Sequence, residues 1–282
     1  MTATTTCFGA RLRAAMDARG PLCAGIDPHA ALLAAWDLPD SAEGLARFAL
    51  TAAEALAPEA AVVKPQSAFF ERFGSRGIDV LEQVVRTCRE AGALVLLDVK
   101  RGDIGSTAQA YADAYLDHDS PLAADAITAS PYLGFGSLAP MLDSARRNSA
   151  GVFVLALTSN PEGPEVQHAR TDGGRTVAGS VLARLATENA GAEPLGSFGA
   201  VVGATIGTTG EDLAINGPLL VPGIGAQGGT TDDLRRIFSG VLPQVLPSSS
   251  REILAAGPDR AGLVGAVRSA AESFAGVLGG AG

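Results

Sequence analysis

Lysine is nearly missing from this chain of 282 residues: positions 64 and 100 hold the only two, and arginine supplies the other nineteen of its 21 basic side chains. An arginine cannot lose its proton at accessible pH, whereas a lysine ammonium is a compact point charge that can give up a proton and take it back. Two sites in this sequence therefore call for an ammonium in particular. Cysteine is scarce as well. Cys7, Cys23 and Cys88 are odd in number, scattered, and lack any CxxC or His-paired spacing, so they read as reduced thiols of a cytoplasmic protein rather than as a disulfide framework or a metal site. The three histidines, His29, His118 and His168, lie far apart with no ligand spacing and receive no role. No apolar run approaches the roughly 20 residues of a membrane span, and the first twenty residues lack the continuous apolar core of a signal peptide. Excess positive charge is absent too. A net charge of -9 and a pI near 4.8 argue against nucleic acid or an anionic membrane as partner, while leaving an anionic small substrate open.

What is present is a recurring alternation. Short apolar runs fall at 22–26, 61–64, 94–98, 125–128, 152–158, 200–204, 219–222 and 244–248, each followed by a polar or glycine-containing turn. Stretches with helical periodicity lie between and beyond them at 44–57, 78–91, 107–117, 176–190, 231–238 and 261–278. The runs are apolar throughout rather than alternating, as expected for parallel strands buried on both faces. Eight such units in a chain of 28.4 kDa predict an α/β fold, a (β/α)8 TIM barrel. An open doubly wound sheet is disfavoured because Asp27, not a GxGxxG turn, follows the first run. The whole chain, 1–282, is expected to form one barrel domain, with surface insertions at 160–175 and 191–198.

Barrel active sites form at the carboxyl ends of the strands, and the unusual polar residues fall there: Asp27, Lys64, Asp98, Lys100, Ser159, Gln227 and Arg251. In LVLLDVKRGDI (94–104), Asp98 and Lys100 are two apart and point to the same side of a strand, with Val99 facing away. At about 4 Å and an effective dielectric near 20, such a pair attracts by roughly 4 kcal/mol, enough to keep both groups charged. A structural ion pair, with Asp103 as a helix cap, would explain this segment alone. It does not explain Lys64, a second isolated lysine at the end of another strand.

The glycine-rich segment LLVPGIGAQGGTTDDL (219–234) exposes backbone N–H groups and can cradle a phosphate or close as a lid, with Gln227 as its one long amide. VLPQVLPSSSREILAAG (241–257) ends a strand in three serines and then Arg251, the cation expected of a phosphate site after the last barrel strands. Ser159 ends the fifth run, where it can hydrogen-bond a heterocycle edge or merely cap a helix. Phe69 and Phe70 read as core.

Taken together, these segments resemble the orotidine 5'-phosphate decarboxylase family in its longer form. Asp98-x-Lys100-x-x-Asp103-Ile104-x-x-Thr107 is similar to the family's catalytic signature and VVKPQSAFFERFG (62–74) to its second-strand lysine segment. VPGIGAQGG (221–229) is similar to its phosphate loop and TSNP (158–161) to its pyrimidine-recognition strand. The resemblance implies loss of carbon dioxide from orotidine 5'-phosphate to give uridine 5'-phosphate, as a step of pyrimidine biosynthesis, with no metal or organic cofactor. It further implies catalytic roles for Lys100, Asp98, Lys64 and Asp103. Asp27 would bind a ribose hydroxyl, Ser159 the base, Gln227 both phosphate and base, and Arg251 the phosphate. Asp103 and Thr107 would reach a neighbouring subunit's site, so a homodimer with shared sites is implied. Two departures stand out: Ser250 precedes Arg251 where shorter members have glycine, and Arg101 adds a cation with no assigned role.

Three other readings remain at this stage. A magnesium-dependent sugar-phosphate synthase or decarboxylase of the same barrel group shares the Asp-x-Lys-x-x-Asp pattern, but carries an acidic ligand where this chain has Lys64, and an ammonium repels magnesium. A Schiff-base aldolase would use a buried lysine as nucleophile. A noncatalytic nucleotide-binding barrel would need only the phosphate site.

Overall fold

Strands apolar on both faces need cover inside and out, and closing the sheet on itself supplies it. In the computed structural model, which describes residues 6–225 and 228–279, eight parallel strands close a barrel in chain order. They are β1 (Cys23–Ile26), β2 (Val62–Pro65), β3 (Leu94–Arg101), β4 (Ala126–Ala129), β5 (Gly151–Leu157), β6 (Phe198–Val202), β7 (Leu219–Val221) and β8 (Val245–Ser249). This is the TIM barrel expected from the eight apolar runs. The outer faces, such as those of Ala24, Val63, Val95, Ile127 and Val154, pack under the surrounding helices. The inner faces, including Cys23, Val62, Leu96, Ala126, Phe153, Leu220 and Leu246, form a separate core inside the barrel.

The floor of that inner core is supplied by a helix absent from the sequence reading, Phe8–Arg19. Its Phe8, Leu12 and Met16 join the inner cluster, and the Phe8 ring meets Phe153 edge-on at 6.1 Å. Gly151 makes room for that ring, since a Cβ there would collide with Phe8. The helix therefore closes the amino-terminal end and leaves the carboxyl end open.

Six helices match the periodic stretches to within a few residues: Ala42–Leu56, Ser75–Glu90, Gly105–Leu116, Val177–Glu188, Thr231–Ile237 and Arg260–Leu278. The stretch 160–175 holds a short helix, Gly163–Gln167, and an antiparallel bridge between Arg170 and Thr176. In the stretch 191–198, Phe198 already opens β6 and Leu195 is buried in the barrel floor.

Candidate active site

Neighbouring strands bring the two lysines together. β1 pairs with β2 so that Gly25 lies beside Lys64, and β2 pairs with β3 through Val62 with Leu94 and Val63 with Val95. Beyond Val95 the pairing reduces to a bridge between Gln66 and Asp98 and a hydrogen bond from the Ser67 N–H to the Asp98 carbonyl at 3.1 Å. The ends of β1, β2 and β3 thus open side by side onto a cavity of about 360 Å³ at the carboxyl mouth, lined by Asp27, Lys64, Asp98, Lys100 and Arg251 among others.

Asp98 is the hub. Lys100 Nζ donates to its two carboxylate oxygens at 2.7 and 2.8 Å, and Lys64 Nζ donates to Oδ2 at 3.2 Å. Lys64 also lies 3.8 Å from Asp27 Oδ1. Burial raises the cost of charge on Asp98, but the two ammonium groups and a Thr128 hydrogen bond outweigh it and hold its carboxyl down at about 2. Burial likewise opposes the charge on Lys64, and the carboxylates of Asp27 and Asp98 outweigh it, raising that ammonium above the usual lysine value. The charges differ in access to solvent. The side chains of Lys64 and Asp98 are 7% and 8% exposed, whereas that of Lys100 is 46% exposed and faces the cavity.

Lys100 breaks the regular geometry of β3 from within it. Its φ of +47° is left-handed backbone, which costs a residue bearing a Cβ about 1–3 kcal/mol and persists only where its surroundings enforce it. The β3–β4 register shifts at this point: Leu97 pairs with Ile127, and pairing resumes only with Arg101 opposite Ala129. Thr128 holds the bend. Its buried hydroxyl accepts from the Lys100 N–H at 2.9 Å and donates to Asp98 Oδ1 at 2.8 Å. Asp98 and Lys100 therefore share the cavity and Val99 is buried outside the barrel, but through a bulge rather than through regular alternation.

The other sequence-derived site residues divide. Arg251 opens a short helix, Arg251–Leu254, at the cavity rim. Asp27 Oδ1 and Ser250 Oγ are buried with no hydrogen-bond partner among the described residues, and both residues line the cavity. Ser159 lines a different cavity of about 460 Å³ with Thr158, Asn160 and Gln167. Asp103 and Thr107 lie outside the lining of either cavity. Asp103 Oδ1 accepts from the Ile104 N–H at 2.8 Å, and the exposed Ile104 follows it on the surface. Gln227 lies outside the described residues. The glycine loop around it turns back on itself, with Gly225 donating to the Gly229 carbonyl at 2.8 Å and Gly229 to that of Gly223 at 3.0 Å. Gly225 has a φ of +73°, and a Cβ there would collide with the Glu252 carboxylate.

Three lining residues were missed or misread from sequence. Thr128 sits inside an unremarkable apolar strand, and its part depends on a bulge that no local pattern announces. Phe70 is core, as expected, but Phe69 lines the cavity and its ring packs 4.2 Å from that of His29, which lines it too. The signal for His29 was its place two residues after Asp27 at a strand end.

Comparisons with known proteins agree with this fold. The family model described as "Orotidine 5'-phosphate decarboxylase / HUMPS family" matches residues 20–264. An orotidine 5'-phosphate decarboxylase of a Nocardioides species is 69% identical over 88% of this chain and 91% of its own. That of Streptomyces coelicolor is 63% identical over 95% of each. A crystal structure from Streptomyces avermitilis, described as an orotidine 5'-phosphate decarboxylase, superposes with a TM-score of 0.96 at 59% identity over 98% of both chains. With its lysines, barrel and near full-length matches in accord, the chain belongs to the orotidine 5'-phosphate decarboxylase / HUMPS family.

Proposed function

We propose that this chain is a carboxy-lyase that converts orotidine 5'-phosphate to uridine 5'-phosphate, and that the cavity over Asp98 is where it does so. The observation that carries this reading is a buried carboxylate gripped by two ammonium groups, one of them open to the cavity. Heterolysis of the bond between the ring and its carboxylate leaves the electron pair on a ring carbon as carbon dioxide departs. Lys100, with its exposed Nζ, stabilises that pair and delivers a proton to it. Asp98 stands where the substrate carboxylate must sit. The repulsion between the two anions disappears on forming neutral carbon dioxide, so it is felt in the ground state more than in the transition state. Lys64, too buried to reach the ring carbon, orients Asp98 and Asp27. The orphaned Asp27 oxygen accepts from a ribose hydroxyl, since buried polar atoms are rarely left unpaired. Arg251 and the N–H groups of the glycine loop take the phosphate, with Gln227 between phosphate and base and Ser159 on the base.

Asp103 and Thr107 do not line their own chain's cavity. Ile104, next to Asp103, and Tyr132 and Leu133, just after β4, are large apolar side chains left 62%, 78% and 52% accessible. We read this as the face of a homodimer in which Asp103 and Thr107 complete the partner's site. The chain acts as one barrel domain, with 160–175 and the turn at 191–194 as surface additions, and works in the cytoplasm. No helix among the described residues is long and apolar enough to cross a membrane.

Magnesium-dependent chemistry is disfavoured by donor chemistry. The Lys64 ammonium, 3.2 Å from Asp98, occupies the position from which a cation would be repelled. Loss of orotidine 5'-phosphate absorbance in the ultraviolet, followed with and without excess chelator, tests the reading. Equal rates are expected, and activity that needs added metal would overturn it.

A further inference from the structure

Arg101, the extra cation inside the signature, is more than a solvated surface charge. Its guanidinium donates to Glu71 Oε1 at 2.5 Å and reaches the Tyr115 hydroxyl at 3.5 Å, and it lies over the Tyr111 ring at 5.6 Å. The Ser67 hydroxyl donates to the same Glu71 oxygen at 2.6 Å. Arg101 Nε is buried without a hydrogen-bond acceptor among the described residues, a cost that a freely solvated arginine avoids.

The position of this cluster gives it a consequence for the site. Ladder pairing between β2 and β3 ends at Val63 with Val95, yet Lys64 and Asp98 must stay within hydrogen-bond distance beyond that point. Past it, the two strands are joined by the Gln66–Asp98 bridge, the Ser67 N–H on the Asp98 carbonyl, and the Ser67–Glu71–Arg101 chain. On the opposite side, the Arg101 carbonyl accepts from the Ser130 N–H at 2.8 Å, which restores pairing with β4 straight after the left-handed Lys100. Arg101 is thus tied to β4 by its backbone and to the β2 loop by its side chain, one residue beyond the strained lysine.

We propose that Arg101 and Glu71 form a clasp outside the barrel that holds the bend at Lys100 and the spacing of Lys64, Asp98 and Lys100, making both of them positioning residues for decarboxylation. The inference rests on the reading that Asp98 and Lys100 act on the substrate. Neither clasp residue lines the cavity, so their loss is expected to act on turnover rather than on substrate binding. A displacement of about 1 Å in reacting groups can lower a rate by roughly a hundredfold, whereas exposed ion pairs on their own contribute little to stability.

The test measures kcat, KM and thermal midpoint for Arg101→Met, Glu71→Gln, their double variant and Arg101→Lys, with Lys100→Ala alongside. Each single clasp variant is expected to lower kcat about ten- to a hundredfold with KM within about twofold. The double variant should be no worse than the poorer single one, because both remove one interaction. Arg101→Lys should recover part of the loss. If Arg101→Met fails to fold, Glu71→Gln, which removes only charge from the more exposed partner, carries the test with Arg101→Lys. Normal kcat in Glu71→Gln, or strictly multiplicative losses in the double variant, would overturn the clasp while leaving the site reading intact. Retained activity in Lys100→Ala would overturn the site reading itself.

Discussion

Asp98 concentrates the energetics of the site into one side chain, and its titration is where they can be read. Its carboxyl is held at about 2, against about 3.9 in an unfolded chain. Between those values the unfolded chain binds the additional proton. The carboxylate's contribution is therefore complete above pH about 4 and is lost as pH falls toward about 2. Asp98→Asn should flatten the rise of stability with pH across that window, as measured by urea unfolding at a series of pH values; an unchanged slope would mean that the two lysines do not set the Asp98 proton affinity. In the proposed reading Arg251 grips the phosphate, at the other end of the substrate. Remote phosphate binding supports the reaction when it is expressed in the transition state, so Arg251→Ala should lower kcat/KM by roughly a thousandfold or more with the thermal midpoint unchanged. Normal kcat/KM would contradict the assignment.

Among the elements, the strands were legible and the bends were not. A parallel strand buried on both faces must be apolar throughout, so the eight runs could be read directly, and lysine at the ends of two of them stood out against a background of arginine. The floor helix Phe8–Arg19 was missed because it caps the barrel end rather than lying across a sheet face, and its apolar residues give only a weak helical stripe. The left-handed Lys100 and its support by Thr128 were illegible for a different reason: they are imposed by the β3–β4 register, not by any local preference of lysine or threonine. Ser159 was expected at the same mouth as Asp98, yet within the single chain it lines a separate cavity. It sits on a loop whose reach the strand pattern does not define. The glycine loop gives the prediction at this scale. Gly225→Ala would introduce a Cβ at a positive φ and against the Glu252 carboxylate, so KM for orotidine 5'-phosphate should rise severalfold with little change in the thermal midpoint. Unchanged KM would show that this segment does not serve the phosphate.

For the whole molecule, the dimer reading has a signature of its own. If Asp103 completes the partner's site, Lys100→Ala and Asp103→Ala chains, each inactive alone, should regain about a quarter of wild-type activity when unfolded and refolded together, since a two-fold dimer of unlike chains has one intact site in two. No recovery would place Asp103 in its own chain's chemistry or outside it altogether. The net charge of -9 means that the overall field of the molecule does not favour an anionic substrate, so any attraction must come from individual cations such as Lys100 and Arg251 at the cavity. The central claim, that the exposed Lys100 ammonium stabilises and protonates the ring carbon, is met most directly by one paired measurement on the purified protein. Decarboxylation of orotidine 5'-phosphate is followed in the ultraviolet for wild type and Lys100→Ala, with uridine 5'-phosphate binding to each measured by calorimetry. Product formation should vanish in the variant while nucleotide binding persists; turnover near the wild-type rate in Lys100→Ala would contradict the account.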